Sequence, residues 1–159
     1  MYGQSTINEF KVSFSKLYSQ TLTDLLSTLP NAAAACLPSS DSDHPEHGTR
    51  CWAAGWGKMG DGKIATALQE VDVGIIDDVT CLDTDNADHL KDGMFCAGYL
   101  EGGKDGCQGD SGGPLVCAVD NKPVLYGVTS WGFGCAKPNS PGVWTKVNNY
   151  IDWISSFDS

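Results

Sequence analysis

Ser111 sits within Gly106-Cys-Gln-Gly-Asp-Ser-Gly-Gly-Pro-Leu-Val-Cys117, with glycines on both sides and a proline after them. That composition describes a tight loop built around one exposed hydroxyl. A serine hydroxyl becomes a nucleophile only when a base takes its proton. Backbone N–H groups converging on one point can hold the oxyanion that its attack creates. Two carboxylates lie close in sequence: Asp110 directly precedes the serine and Asp105 lies six residues before it. The base must be sought among three histidines, His44, His47 and His89.

The elements that would position these residues follow from texture. CWAAGWG, QEVDVGIID, MFCAGY, PLVCAV, VLYGVTSWG and GVWTKV are six short segments rich in β-branched and aromatic residues, punctuated by Gly, Asp, Asn and Pro. In QEVDVGIID, Val71, Val73 and Ile75 alternate with Asp72 and Gly74, the period-2 pattern of a half-buried strand. Six such strands across 51–146 predict an all-β fold, an antiparallel barrel or sandwich. At the end, Val147, Tyr150, Ile151, Ile154 and Phe157 fall on one face at helical spacing, which predicts a helix near 147–157 packed on the barrel. Upstream, FKVSF alternates like a short strand, and TLTDLLSTLP reads as a brief helix ended by Pro30 or as a loop. SSDSDHPEHGTR reads as a polar surface loop containing His44 and His47. Its HPEH sequence has ligand-type residues, but they fit a solvated loop better, and no metal or other cofactor is expected.

The 159 residues carry 20 acidic and 10 basic side chains, a net charge of −10. Nucleic acid, heparin and anionic membrane are therefore poor partners. No run approaches transmembrane length. Apolar residues make up 41% and charged residues 19%, the balance of a globular chain. Seven cysteines (Cys36, Cys51, Cys81, Cys96, Cys107, Cys117 and Cys135) with no CxxC pair argue for disulfides rather than zinc, and so for a secreted protein. MYGQSTINEFKVSF lacks the basic start and apolar run of an export signal. Either the cysteines are reduced or the true N-terminus is missing.

Gly109–Pro114 (GDSGGP) resembles the serine loop of trypsin/chymotrypsin-like serine endopeptidases. The resemblance runs from about Ala35 (ACLP) to Phe157, through CWAAGWG, FCAGYLEGGKDGCQGDSGGPLVC, SWG at Ser130–Gly132, GCAKPNSPGVWTKV and YIDWI. It implies that Ser111 is the nucleophile and that the N–H groups of Gly109 and Ser111 form the oxyanion hole. It places Asp105 at the base of the primary specificity pocket, where a carboxylate selects Arg or Lys through charge-assisted bonds. Gly106, Gln108, Ser130, Trp131, Gly132, Gly134 and Gly142 would complete that pocket. Asp110 would be an activation switch, accepting the α-ammonium freed when a proenzyme is cut. The same resemblance implies disulfides Cys51–Cys117, Cys81–Cys96 and Cys107–Cys135. Cys36 is left over, at a position that tethers a propeptide in the chymotrypsin-like branch.

The family's histidine lies in an alanine-alanine-histidine-cysteine stretch before ACLP, and this chain has no such stretch. His44, His47 and His89 are expected on the surface, remote from Ser111. For the aspartate that orients the base, Glu9 and Asp24 are the weak candidates. The expectation is a chain truncated at its N-terminus, with 1–50 a remnant of a first barrel and linker and 51–159 a complete second barrel with its helix. The implied function is a trypsin-like endopeptidase, inactive as an isolated chain, with a polypeptide substrate or protein inhibitor as partner. The alternative is a serine-protease-like binding domain without catalysis.

Overall fold

The computed structural model describes residues 5–6, 33–41 and 45–157. His44, Glu9, Asp24, FKVSF and TLTDLLSTLP lie outside those residues. Seven strands form one antiparallel sheet: β1 (Ser5–Thr6), β2 (Arg50–Gly55), β3 (Gln69–Ile76), β4 (Met94–Gly98), β5 (Pro114–Val119), β6 (Lys122–Trp131) and β7 (Gly142–Lys146). Their order is β1-β3-β2-β5-β6-β7-β4. Pairing of Gly74–Ile76 in β3 with Cys96–Gly98 in β4 closes β2 to β7 into a six-stranded barrel. Closure leaves no long strand edge exposed. The same edge of β3 pairs with β1 further along, at Gln69 and Glu70.

Period-2 alternation decides what lies inside. Val71, Val73 and Ile75 of β3 are buried and meet Cys51 and Ala53 of β2, Phe95 and Ala97 of β4, Leu115 and Cys117 of β5 and Trp144 of β7. Trp144 is large and polar at one end, and its Nε1 donates to the Ala97 carbonyl at 3.3 Å. The β5–β6 hairpin turns through Asp120 and Asn121, both at positive φ, the residue types that tolerate such a turn. Register slips between Thr129 and Trp131 where β6 pairs with β7, so Ser130 has no β7 partner there. Such a bulge re-aims side chains at the end of a strand.

Three disulfides staple the barrel: Cys51–Cys117 between β2 and β5, Cys81–Cys96 between a short helix α1 (Asp78–Cys81) and β4, and Cys107–Cys135 between two loops. Cys36 is free and exposed. Its backbone lies along β6, donating to the Pro123 carbonyl at 2.8 Å and accepting from Leu125 N at 2.9 Å.

The expected C-terminal helix is present, and it is shorter than the 147–157 read from the periodicity. Val147–Tyr150 form a 3₁₀ turn and Ile151–Ser155 form α2. Tyr150, between them, adopts φ −116° and ψ 7°, outside the helical region, so the two pieces do not share one period. Val147 is buried, but Tyr150 and Phe157 of the expected apolar face are each 47% exposed. No helix among the described residues is long and apolar enough to cross a membrane.

The Cys81–Cys96 bridge closes a loop of 15 residues in sequence. In the chain-entropy account such a link stabilises by about 3 kcal/mol. The C81A/C96A variant should lose about that much in urea unfolding; an unchanged midpoint would contradict the assignment of this bridge as a staple.

Candidate active site

Loop 99–113 connects β4 to β5, and loop 132–141 connects β6 to β7. The Cys107–Cys135 disulfide ties them together, and between them opens a cavity of about 160 Å³. Its lining contains Asp105, Gly106, Gln108, Ser111, Ser130, Trp131, Gly132, Gly134 and Gly142. Every residue expected at the specificity pocket is thus gathered around one space with the serine. Cys107, Thr129, Cys135, Val143 and Trp144 line it too. Sequence reading did not single out Thr129, Val143 or Trp144 for the site, because they read simply as strand residues. Their spacing carries no chemical signal.

Asp105 is only 4% exposed. Its Oδ2 accepts from Ala136 N at 3.0 Å, and Gly106 N–H also bonds the carboxylate. Burial pushes its pKa up to about 6; those two backbone donors pull the other way, and the nearby Asp110 charge adds to the rise. The desolvation penalty wins. Gly142 stands against this carboxylate: a Cβ there would come within 2.7 Å of Asp105 Oδ1 and 3.1 Å of Trp144 Nε1. Glycine at 142 is what leaves the acid open to the cavity. That wall is braced from behind by Asn86, which is fully buried and donates from Nδ2 to the Pro141 carbonyl at 2.7 Å. Asn86 was invisible in the sequence, since nothing local distinguishes it from a turn asparagine.

Ser111 is exposed. The N–H groups around it are divided in use. Asp110 N bonds the Cys107 carbonyl at 2.9 Å, Gly112 N bonds Thr129 O at 2.9 Å, and Gly113 N bonds Asp110 O at 2.8 Å. The N–H groups of Gly109 and Ser111 have no partner among the described residues. Gly109 adopts φ +103°, and a Cβ there would lie 3.1 Å from Gly57 Cα. Only glycine meets both conditions without strain. Asp110 points away from the cavity. Its Oδ1 accepts from Gly57 N at 2.7 Å and its Oδ2 from Cys107 N at 2.9 Å. A small recess beside it is lined by Gly55, Gln69, Glu70 and Val71 among others, next to the point where β1 joins β3.

The described histidines do not reach the serine. His47 is exposed, and its Nδ1 lies 2.8 Å from Asp77 Oδ2 and 3.2 Å from Asp77 N. A protonated Nδ1 satisfies the first contact and an unprotonated one the second, so the ring is engaged with Asp77 in either state. His89 is exposed but less remote than the sequence suggested. It packs edge-on against Phe133 at 5.1 Å and Trp131 at 6.2 Å between ring centroids, and Trp131 lines the cavity. Among the described residues neither imidazole is hydrogen-bonded to Ser111, and no group of three or more His, Cys, Asp or Glu could hold a metal.

The Asp105 carboxyl has a testable consequence for stability. Its ordinary value is 3.8 and its folded value about 6. Below 3.8 it is protonated in both states and has no effect. The penalty grows as pH rises and is complete above about 6. Relative to Asp105→Asn, the native chain should lose about 3 kcal/mol of stability between about pH 4 and pH 7. Parallel urea-midpoint profiles for the two proteins would contradict this.

Comparison with known proteins agrees with the geometry. Coagulation factor XII of Rattus norvegicus is 47% identical over 131 residues, covering 79% of this chain. Coagulation factor XII of Cavia porcellus is 44% identical over 132 residues, again 79% of the chain. The chain spans about a fifth (22%) of the length of these curated relatives. The family model described as Trypsin matches residues 16–154, reaching further upstream than Ala35. With that match over most of its length, a closed antiparallel barrel and three disulfides, this chain belongs to the trypsin family of serine proteases.

Proposed function

We propose that the chain is the second-barrel part of an endopeptidase that cuts polypeptides after Arg or Lys, with Ser111 as nucleophile. One observation carries this: a buried carboxylate, Asp105, shares one cavity with an exposed serine whose own N–H and that of Gly109 are free of described partners. A long cationic side chain entering past Gly132, Gly134 and Gly142 would meet Asp105 in a site with little water, where a charge-assisted bond is strong. Its carbonyl carbon would then lie at Ser111 Oγ. Attack would place the oxyanion at Gly109 N–H and Ser111 N–H, each such donor typically contributing about 3 kcal/mol to lowering the barrier. Asp110 acts as the activation switch in this reading. Its carboxylate has two backbone donors and lone pairs to spare for an ammonium entering the adjoining recess.

In this reading the described residues from Cys51 onward are the second barrel with its terminal helix. Nor is any of the three histidines the base in this reading, since the chain has no alanine-alanine-histidine-cysteine stretch and neither described imidazole is hydrogen-bonded to Ser111, and the isolated chain is a poor catalyst. The three disulfides support an oxidising, extracellular setting. Cys36, exposed and unpaired, offers a tether to a propeptide or other segment. The partner is a polypeptide substrate or a protein inhibitor. The competing reading, a binding domain without catalysis, shares the pocket but not the need for an activated serine.

Labelling with an organophosphorus reagent separates the two. Beside a complete trypsin, Ser111 should be labelled at least about a thousandfold more slowly. Addition of a first-barrel segment that carries the family's histidine should restore the rate if the chain is an enzyme part. Labelling of the isolated chain at the control's rate would overturn the assignment of the histidines, and failure of restoration would favour the binding domain.

A further inference from the structure

The segment that delivers Asp105 to the cavity is intrinsically loose. Gly102 and Gly103 adopt φ +76° and +92°, and both leave the unfolded chain many alternatives. Its one internal backbone bond runs from Gly102 N to Tyr99 O at 2.8 Å, and two more, Gly103 N to Ala136 O at 2.9 Å and Asn139 N to Leu100 O at 2.8 Å, tie it to loop 132–141. Yet both ends of the segment converge on one carboxylate on the outside of the barrel. Asp72 lies on β3 between Val71 and Val73, which point inward. Its Oδ1 accepts from Lys104 Nζ at 2.7 Å, and its Oδ2 accepts from Tyr99 Oη at 2.9 Å and Arg50 Nε at 3.1 Å. Lys104 is the residue immediately before Asp105, and Tyr99 begins the turn.

We infer that Asp72 is a positioning residue for the specificity pocket, clamping the segment from Tyr99 to Lys104 so that Asp105 is held at the cavity floor. The inference rests on the reading of Asp105 as the group that selects the substrate cation. Surface ion pairs usually contribute little, but this one differs. The Asp72 side chain is only 13% exposed and receives three donors, two of them from the segment itself. Arg50, at 62% exposed, is the weak arm. Burial alone would raise the Asp72 pKa, but the bonds from Lys104, Tyr99 and Arg50 outweigh it and bring the carboxyl down to about 2. The clamp therefore stays charged throughout the range in which Asp105 titrates. The ammonium of Lys104 also sits 5.6 Å from the Tyr99 ring centroid, so the two ends of the segment hold each other as well as Asp72.

The test follows the side-chain carboxyl of Asp105 by NMR titration and the Gly103 amide by hydrogen exchange, in the full chain. In Asp72→Asn the clamp loses its charge, the segment opens and water reaches Asp105. Its midpoint should fall from about 6 toward 3.8, and Gly103 should exchange about tenfold faster or more. Tyr99→Phe removes a single hydroxyl, should fold in any case, and should move both readouts part of the way in the same direction. Asp61→Asn, an exposed carboxylate on the hairpin at 58–64, should move neither. Wild-type values of the Asp105 midpoint and the Gly103 exchange rate in both Asp72→Asn and Tyr99→Phe would overturn the inference. Failure of wild-type chain to bind an aryl amidinium would instead sink the reading of the cavity as a cation pocket, without touching the clamp.

Discussion

A carboxylate held almost out of water at the floor of a cavity constrains everything around it. Asp105 has two backbone donors and, among the described residues, no cation of its own, so its charged form is under-compensated. An incoming cation would relieve that deficit, and this is the ground for the proposal that the cavity selects by charge. The cost of keeping such a group in place falls on the scaffold. The closed barrel brings Gly142 and Trp144 of β7 to one wall, and the Cys107–Cys135 bridge holds the two loops across the opening. Glycine at 142 is the steric counterpart of the same demand, since any side chain there would crowd the Asp105 carboxylate.

A second carboxylate organises the serine rather than the substrate. Asp110 turns its back on the cavity and joins the serine loop to the end of β2 through Gly57. With Gly109 pressed against Gly57, the loop's N–H groups are aimed by packing rather than by chance. The two acids, five residues apart in sequence, therefore divide the labour. One faces the cavity, and the other faces the scaffold and fixes the geometry on which the proposed attack by Ser111 would depend. Pre-organised donors of this kind need no rearrangement at the moment of reaction.

Much of this was legible before the structure. Alternation in QEVDVGIID identifies β3, because a half-buried strand leaves a period of two. The cavity residues emerge from the resemblance around GDSGGP, which spans several loops at once. What was not legible arises from contacts far apart in the chain. Asn86 braces Pro141 across 55 residues, and Asp72 gathers Tyr99 and Lys104 across 27 and 32. No local pattern encodes such partners. The terminal helix was legible but its length was not: Val147 to Phe157 follow a helical period, yet one backbone residue, Tyr150, breaks it in space and leaves Ile151–Ser155 as the α-helix. His89 looked remote because it sits in a polar turn, and only the fold sets its ring against Trp131.

The central claim is that Asp105 is a buried acid awaiting a cation. Calorimetric titration with an aryl amidinium, repeated in buffers of different ionisation enthalpy, tests it most directly. Near pH 6 the free acid is about half protonated and a bound cation must drive its proton off. The account predicts proton release on binding near that pH, vanishing about two pH units higher and absent in Asp105→Asn. Amidinium binding with no proton release near pH 6, or with equal affinity in Asp105→Asn, would contradict it.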